Sequence, residues 1–139
     1  EFFKAERGFV LIWDEKKKAL AMKATKNITN DQSRLKGTIS DTITQRCLEK
    51  GELIIVSDAL IDPTFLAIQS VVEMAIRSIL CIPLVVNEKK LGVIYLDHLT
   101  KTNVFKKSDL FLFRTFGEIL SNQMRNTLKY EEVLSRVLI

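Results

Sequence analysis

Two apolar runs dominate the chain. Residues 77–86 read Arg-Ser-Ile-Leu-Cys-Ile-Pro-Leu-Val-Val, and residues 91–97 read Leu-Gly-Val-Ile-Tyr-Leu-Asp, with Asn87, Glu88, Lys89 and Lys90 between them. Runs rich in β-branched residues joined by a short polar link predict an antiparallel hairpin. In the first run Ile79, Cys81 and Val85 share one parity, while Leu80, Ile82 and Leu84 share the other. A strand with one wet face alternates apolar with polar, so these two predict central strands covered on both sides.

The remaining pattern supplies the cover. Residues 1–7 read as the tail of a helix, with Gly8 as its break, and 9–13 as a strand apolar on both faces. After a turn at Asp14-Glu15-Lys16-Lys17, residues 18–25 form a second strand, whose Ala19, Ala21 and Lys23 on one parity suit a sheet edge. Residues 26–37 are polar without a period and read as an irregular loop. Ser40 caps a helix running from Asp41 to about Lys50, which Gly51 stops, with Ile43, Cys47 and Leu48 on its inner face. A short buried strand follows at 53–56, then a long irregular stretch, 57–75, of a length that compact domains rarely keep without a use.

Past the hairpin, a polar link holding Phe105 leads to Ser108, which is placed to cap a long final helix over 108–139, with Asp109 near its positive end. Leu110, Phe111, Leu112, Phe113, Phe116, Ile119 and Leu120 spread over two faces, which implies two neighbours rather than one. One is the sheet; the other is an N-terminal helix or the same helix of a second subunit. Leu134, Val137 and Leu138 keep an apolar edge as an exit helix or coiled coil does.

Composition narrows the function classes. The 139 residues, 47% hydrophobic and 27% charged, suit a single domain able to bury a core. No apolar run approaches the roughly 20 residues of a membrane span, and no signal-peptide pattern opens the chain. Cys47 and Cys81 both sit in apolar patterns, as reduced, buried thiols of a cytoplasmic protein do. The net charge is +4. Its lysine pairs and triplets, at 16–18, 89–90 and 106–107, fall between elements and lack interleaved aromatics, so a nucleic-acid surface is not expected. His98, the only histidine, has no cysteine neighbour, which leaves a metal site short of ligands; a surface position at a strand end is expected.

The order is helix, two strands, helix, strand, irregular cover, two strands, long helix, an α+β arrangement with a mostly antiparallel sheet. Residues 77–84 and 91–97, followed by Phe105 and Asp109-Leu110, resemble the signature half of a GAF domain. Arg7-Gly8-Phe9-Val10-Leu11 and residues 54–59 fit the same pattern, so that the resemblance covers nearly the whole chain, 1–139, as one domain excised from a longer signalling protein. It implies a GAF/PAS-like fold: a sheet of about five or six strands in the order 2-1-5-4-3, terminal helices on one face, and a loop and short-helix roof over a pocket on the other. It also implies a small-molecule sensor rather than an enzyme, passing its signal through terminal helices that commonly form a parallel homodimer. The effector attached in the same chain is a transcription activator by preference, since the motif wording is most like the GAF domains heading bacterial enhancer-binding activators. Cyclases and histidine kinases compete closely.

Mapped onto this chain, the roof is 26–37 and 57–75. Comparison with bilin-binding members puts Arg77, Ile79 and Cys81 on the pocket side, with Asp97 and Tyr95 opposite, although sequence alone leaves the hairpin register open. Phe65 and Asp58 in the roof complete the candidate ligand-binding set. The Arg77 guanidinium is suited to a carboxylate or phosphate; the alternative is an internal pair with Asp58 or Asp62. The resemblance specifies no ligand or cofactor. The Asn-Lys-Phe-Asp-Glu set of cyclic-nucleotide-binding members is not reproduced, nor is the Asp-x-Cys-Phe of bilin binders, where this chain reads Asp62-Pro63-Thr64-Phe65. The cysteine set of free-methionine-sulfoxide reductases is also missing. A ligand-free dimerisation module stands as the first alternative, followed by a cyclic-nucleotide-binding domain and a thiol-redox sensor or enzyme centred on Cys81.

Overall fold

The computed structural model of the chain describes residues 5–26, 41–62, 76–125 and 137. Five strands form one sheet in the order β2-β1-β5-β4-β3, with β1 at Arg7–Asp14, β2 at Ala19–Lys26, β3 at Ile54–Val56, β4 at Ser78–Val86 and β5 at Lys89–His98. Helix α1 spans Asp41–Lys50, and α2 spans Leu110–Arg125. Every strand pairing is antiparallel. The architecture is therefore α+β with the strand order that the family resemblance implies. β2 lies at the edge, as its mixed composition indicated.

The hairpin turns on two residues, Asn87 and Glu88, both with positive φ, so Lys89 and Lys90 already belong to β5. Two successive left-handed residues give the turn the twist its strands need. β4 and β5 are interior strands, and their parities separate into two cores. On one face Phe9, Leu11, Ile79, Cys81, Val93 and Tyr95 meet Ile43, Cys47 and Leu48 of α1. On the other, Val10, Leu80, Ile82, Leu84, Ile94 and Leu96 meet Phe105 and the α2 residues Phe113, Leu120 and Met124.

Close backbone approach explains two glycines. A Cβ on Gly92 would lie 2.1 Å from the Leu11 carbonyl oxygen, and one on Gly117 would lie 2.6 Å from Ile82 Cγ2. The first lets β1 and β5 meet, and the second seats α2 on the sheet.

Several boundaries differ from the sequence expectation. Arg7 opens β1 and neither Ala5 nor Glu6 is helical, so the helix expected over 1–7 does not extend through them. Ser108 lies inside a 3-10 turn, Lys107–Asp109, and caps nothing; the turn starts from Lys106 without a side-chain cap, its Asp109 N–H donating to the Lys106 carbonyl. The tighter turn supplies from the backbone the acceptor that a capping hydroxyl would have provided. The register shifts between Leu84 and Val85, and Val85 lines a groove beside α2. α1 has the bounds read from sequence, and Gly51 ends it at φ +63°, a conformation that favours glycine. Ser40, residues 27–37 of the expected roof, its 63–75 portion and the final helix at 126–136 lie outside the described residues.

Candidate functional site

Among the described residues, buried charge gathers at one end of the sheet. β1 enters there, β5 leaves, and the turn after β3 meets the start of β4. By alternation along β1 and β5, Arg7 and Asp97 stand on the parity of Phe9 and Tyr95, the face turned away from α2. The two are register partners. Arg7 Nε donates to Asp97 Oδ1 at 2.9 Å and Nη2 to Oδ2 at 2.6 Å, and the Tyr95 hydroxyl donates to Oδ2 at 2.9 Å. Asp97 is fully buried and the Arg7 side chain 13% exposed. The guanidinium carbon also sits 5.7 Å from the Phe9 ring centroid. Burial works against the Arg7 cation, but Asp97 outweighs it and the Arg7 pKa is raised. Burial, with the Asp97 charge adding to it, pushes the Tyr95 phenol well above its ordinary value, so it remains a hydrogen-bond donor.

A second pair lies beside the first. Arg77 Nε donates to Asp58 Oδ1 at 2.9 Å and Nη2 to Oδ2 at 2.8 Å. Here the side chains are 34% and 14% exposed. Hydrogen bonding from Arg77 lowers the Asp58 pKa against the opposing effect of burial, and the Leu60 N–H at 3.2 Å helps. Backbone bonds tie the neighbourhood together: Ala59 N–H donates to the Arg77 carbonyl at 2.6 Å, Arg77 N–H to that of His98 at 3.0 Å, and Glu6 N–H to that of Asp97 at 3.0 Å. The Ser78 hydroxyl is buried and bonds the carbonyls of Lys101 at 2.7 Å and Ser57 at 3.2 Å.

The structure brings six of the seven sequence-derived residues together. Ile79 pairs with Asp97 and Cys81 with Tyr95 across the hairpin, which resolves the register. Ile79, Cys81 and Tyr95 are wholly buried in the core cluster under α1. Arg77 and Asp58 form the internal pair weighed as the alternative to an anion receptor. Phe65 lies outside the described residues. Cys81 and Cys47 touch, and burial first, then the Cys47 thiol, push the Cys81 pKa well above its ordinary value, which leaves little thiolate for nucleophilic chemistry.

Sequence reasoning missed Arg7 as a partner. The available signal was Asp97 itself, a carboxylate closing an apolar strand and in need of a cation. His98 ends β5, the strand-end position expected from sequence, but is half-buried rather than at the surface; its Nδ1 accepts the N–H groups of Thr100 and Lys101, at 3.2 and 3.0 Å, shaping the link after β5. Among the described residues no cluster of three or more His, Cys, Asp or Glu is arranged to hold a metal ion. Among the same residues no helix is long and apolar enough to cross a membrane.

Comparison with known proteins follows from this geometry. The family model for the GAF domain matches residues 1–124. No curated protein matches the chain. Among solved structures it is similar to the GAF domain region of a protein from Geobacter sulfurreducens PCA, at TM-score 0.67 and 16% identity over 90% of this chain and 84% of that one. It is also similar to the free methionine-R-sulfoxide reductase of Neisseria meningitidis, at TM-score 0.66 and 18% identity over 88% and 69%. A methyl-accepting chemotaxis protein, residues 122 to 287, matches at TM-score 0.64 and 17% identity over 88% and 79%.

Proposed function

This chain belongs to the GAF-domain family, and from that membership we propose that it is the sensor module of a bacterial, cytoplasmic signal-transduction protein rather than an enzyme. A small molecule settles on the sheet face turned away from α2, and the change passes through dimerised terminal helices to an effector in the same chain. The effector we favour is a transcription activator, on the likeness of the motif wording. Similarity to a chemotaxis protein supports a signalling role in general terms.

The observation that carries this reading is the difference between the two sheet faces. The α2 face is closed by apolar side chains. The opposite face ends in Arg77, whose guanidinium remains one-third exposed beside a segment of roof. A ligand carrying a carboxylate or phosphate meets that guanidinium by competing with Asp58, which couples occupancy to the 58–62 turn through the Leu60 N–H that donates to the same carboxylate. Exposed Phe111 on α2 supports a homodimer.

A second reading has its own support. Ile79, Cys81 and Tyr95 are packed by Ile43, Cys47 and Leu48, as in a dimerisation module whose pocket is filled by its own side chains. Native mass spectrometry of protein purified from its own host separates the two. The sensor reading predicts a retained small molecule that Arg77→Ala loses, and a dimer without added mass supports the ligand-free module instead.

A further inference from the structure

Phe111, Arg114, Glu118 and Ser121 recur along α2 at intervals of three and four, a single line down the helix. A groove of about 490 Å³ runs beside that line, with Leu110, Arg114 and Ser121 on the helix side and Glu52, Leu53 and Pro83 across from them. It opens because β3 begins only at Ile54, opposite Cys81, which leaves the rest of β4 without a neighbouring strand on that side. Pro83 suits such an unpaired edge, since it has no N–H to leave unbonded. At the head of the line Phe111 is 79% exposed. Arg114 and Glu118 are exposed, and neither belongs to an ion pair among the described residues.

We propose that this line is a self-recognition surface: a second copy of the chain docks its α2 antiparallel, inserting its Phe111 into the groove. The inference rests on the homodimer reading and sets the two α2 helices antiparallel, where the family resemblance implies a parallel pair. With the two-fold axis at the level of Phe116, Arg114 of each copy faces Glu118 of the other, and Phe111 of each comes level with the buried Ser121 that walls the groove of the other, as an isologous contact requires. The parallel arrangement sets Arg114 against Arg114 and Glu118 against Glu118, and like charges held together oppose association. Charge therefore selects the antiparallel pair. The groove has room for a benzyl side chain and an apolar wall in Leu53, Pro83 and Leu110 to receive it. The one unfavourable pairing, Arg125 against Lys107 of the other copy, falls at the exposed end of the overlap, where salt screens it. Leu112 and Ile119 point to the adjoining flank of α2 and take no part.

Charge exchange and distance measurement test this together. By sedimentation equilibrium, Arg114→Glu weakens the dimer about tenfold or more, a loss of one well-placed charge pair per side. Arg114→Glu with Glu118→Arg restores it, whereas Ile119→Ser leaves it unchanged. Spin labels at Arg125→Cys, with Cys47 and Cys81 buried and unreactive, lie about 27 Å apart along the axis in the antiparallel pair, from nine residues of 1.5 Å rise on each side of the two-fold. A dimer with adjacent labels, failure of the double variant to restore association, or loss of the dimer in Ile119→Ser overturns the geometry and leaves the homodimer reading standing. A protein that stays monomeric overturns both.

Discussion

Arg7 and Arg77 hold their carboxylates through two parallel bonds of nearly equal length, at the same end of one sheet, yet the two pairs live in different surroundings. Arg7 meets Asp97 across neighbouring strands, with Asp97 wholly out of water and a third donor, Tyr95, on the same oxygen. Arg77 meets Asp58 from a turn, with both side chains part-exposed. The same chemical unit therefore serves two ends. Where both ions are desolvated, loss of one leaves a charge with no alternative partner, and the pair locks the strand pairing in place. Where water reaches the guanidinium, the carboxylate is exchangeable, which is the property the proposed ligand contact requires.

Substitutions that break the comparison differ in size. Asp97→Ala strands the Arg7 cation and the Tyr95 hydroxyl, and the expected loss in urea denaturation is about 3–5 kcal/mol. Arg7→Met combined with Asp97→Leu recovers most of it, because removing both charges removes the uncompensated burial. Tyr95→Phe leaves Arg7 in place and deletes one buried hydrogen bond to a charged oxygen, at a cost of about 1.5 kcal/mol. Arg77→Ala lowers the melting temperature less than either, while ligand retention in native mass spectrometry falls at least tenfold, the worth of a single charge-assisted contact. A variant that loses as much stability as Asp97→Ala would make Arg77 a structural residue.

The pH dependence is the smallest effect and has a definite sign. Hydrogen bonding from Arg77 depresses the folded-state pKa of Asp58. The stabilisation is thus present above the unfolded carboxylate pKa of about 3.9 and disappears as pH falls through the lower folded value. Wild type and Asp58→Asn should differ steadily from pH 5 to 7 and converge below about pH 4, as read from urea midpoints across that range.

The two pairs also show where sequence reading reaches and where it stops. Local pattern was enough for α1 between Asp41 and Gly51, for the β4–β5 hairpin and for the division of Ile79 and Cys81 from Leu80 and Ile82, because each depends on spacing within a few residues. The Arg77–Asp58 pair, nineteen residues apart, was visible as one of two readings. Arg7 and Asp97 are ninety residues apart, and only the register of β1 against β5 brings them together, so no local signal named the partner. Ser108 misled for the opposite reason. A hydroxyl followed by Asp109 and an apolar run has the form of a cap, but the backbone of the 3-10 turn had already met the need.

The division between a fixed pair and an exchangeable one is open to direct measurement on the arginine Nε–H groups by ¹⁵N NMR. The account predicts that the Arg7 Nε–H exchanges slowly with solvent and that the Arg77 Nε–H exchanges faster. Titration with the small-molecule fraction extracted from host cells should then move the Arg77 resonance and leave that of Arg7 in place. Equal protection of the two, or a shift confined to Arg7, would contradict it.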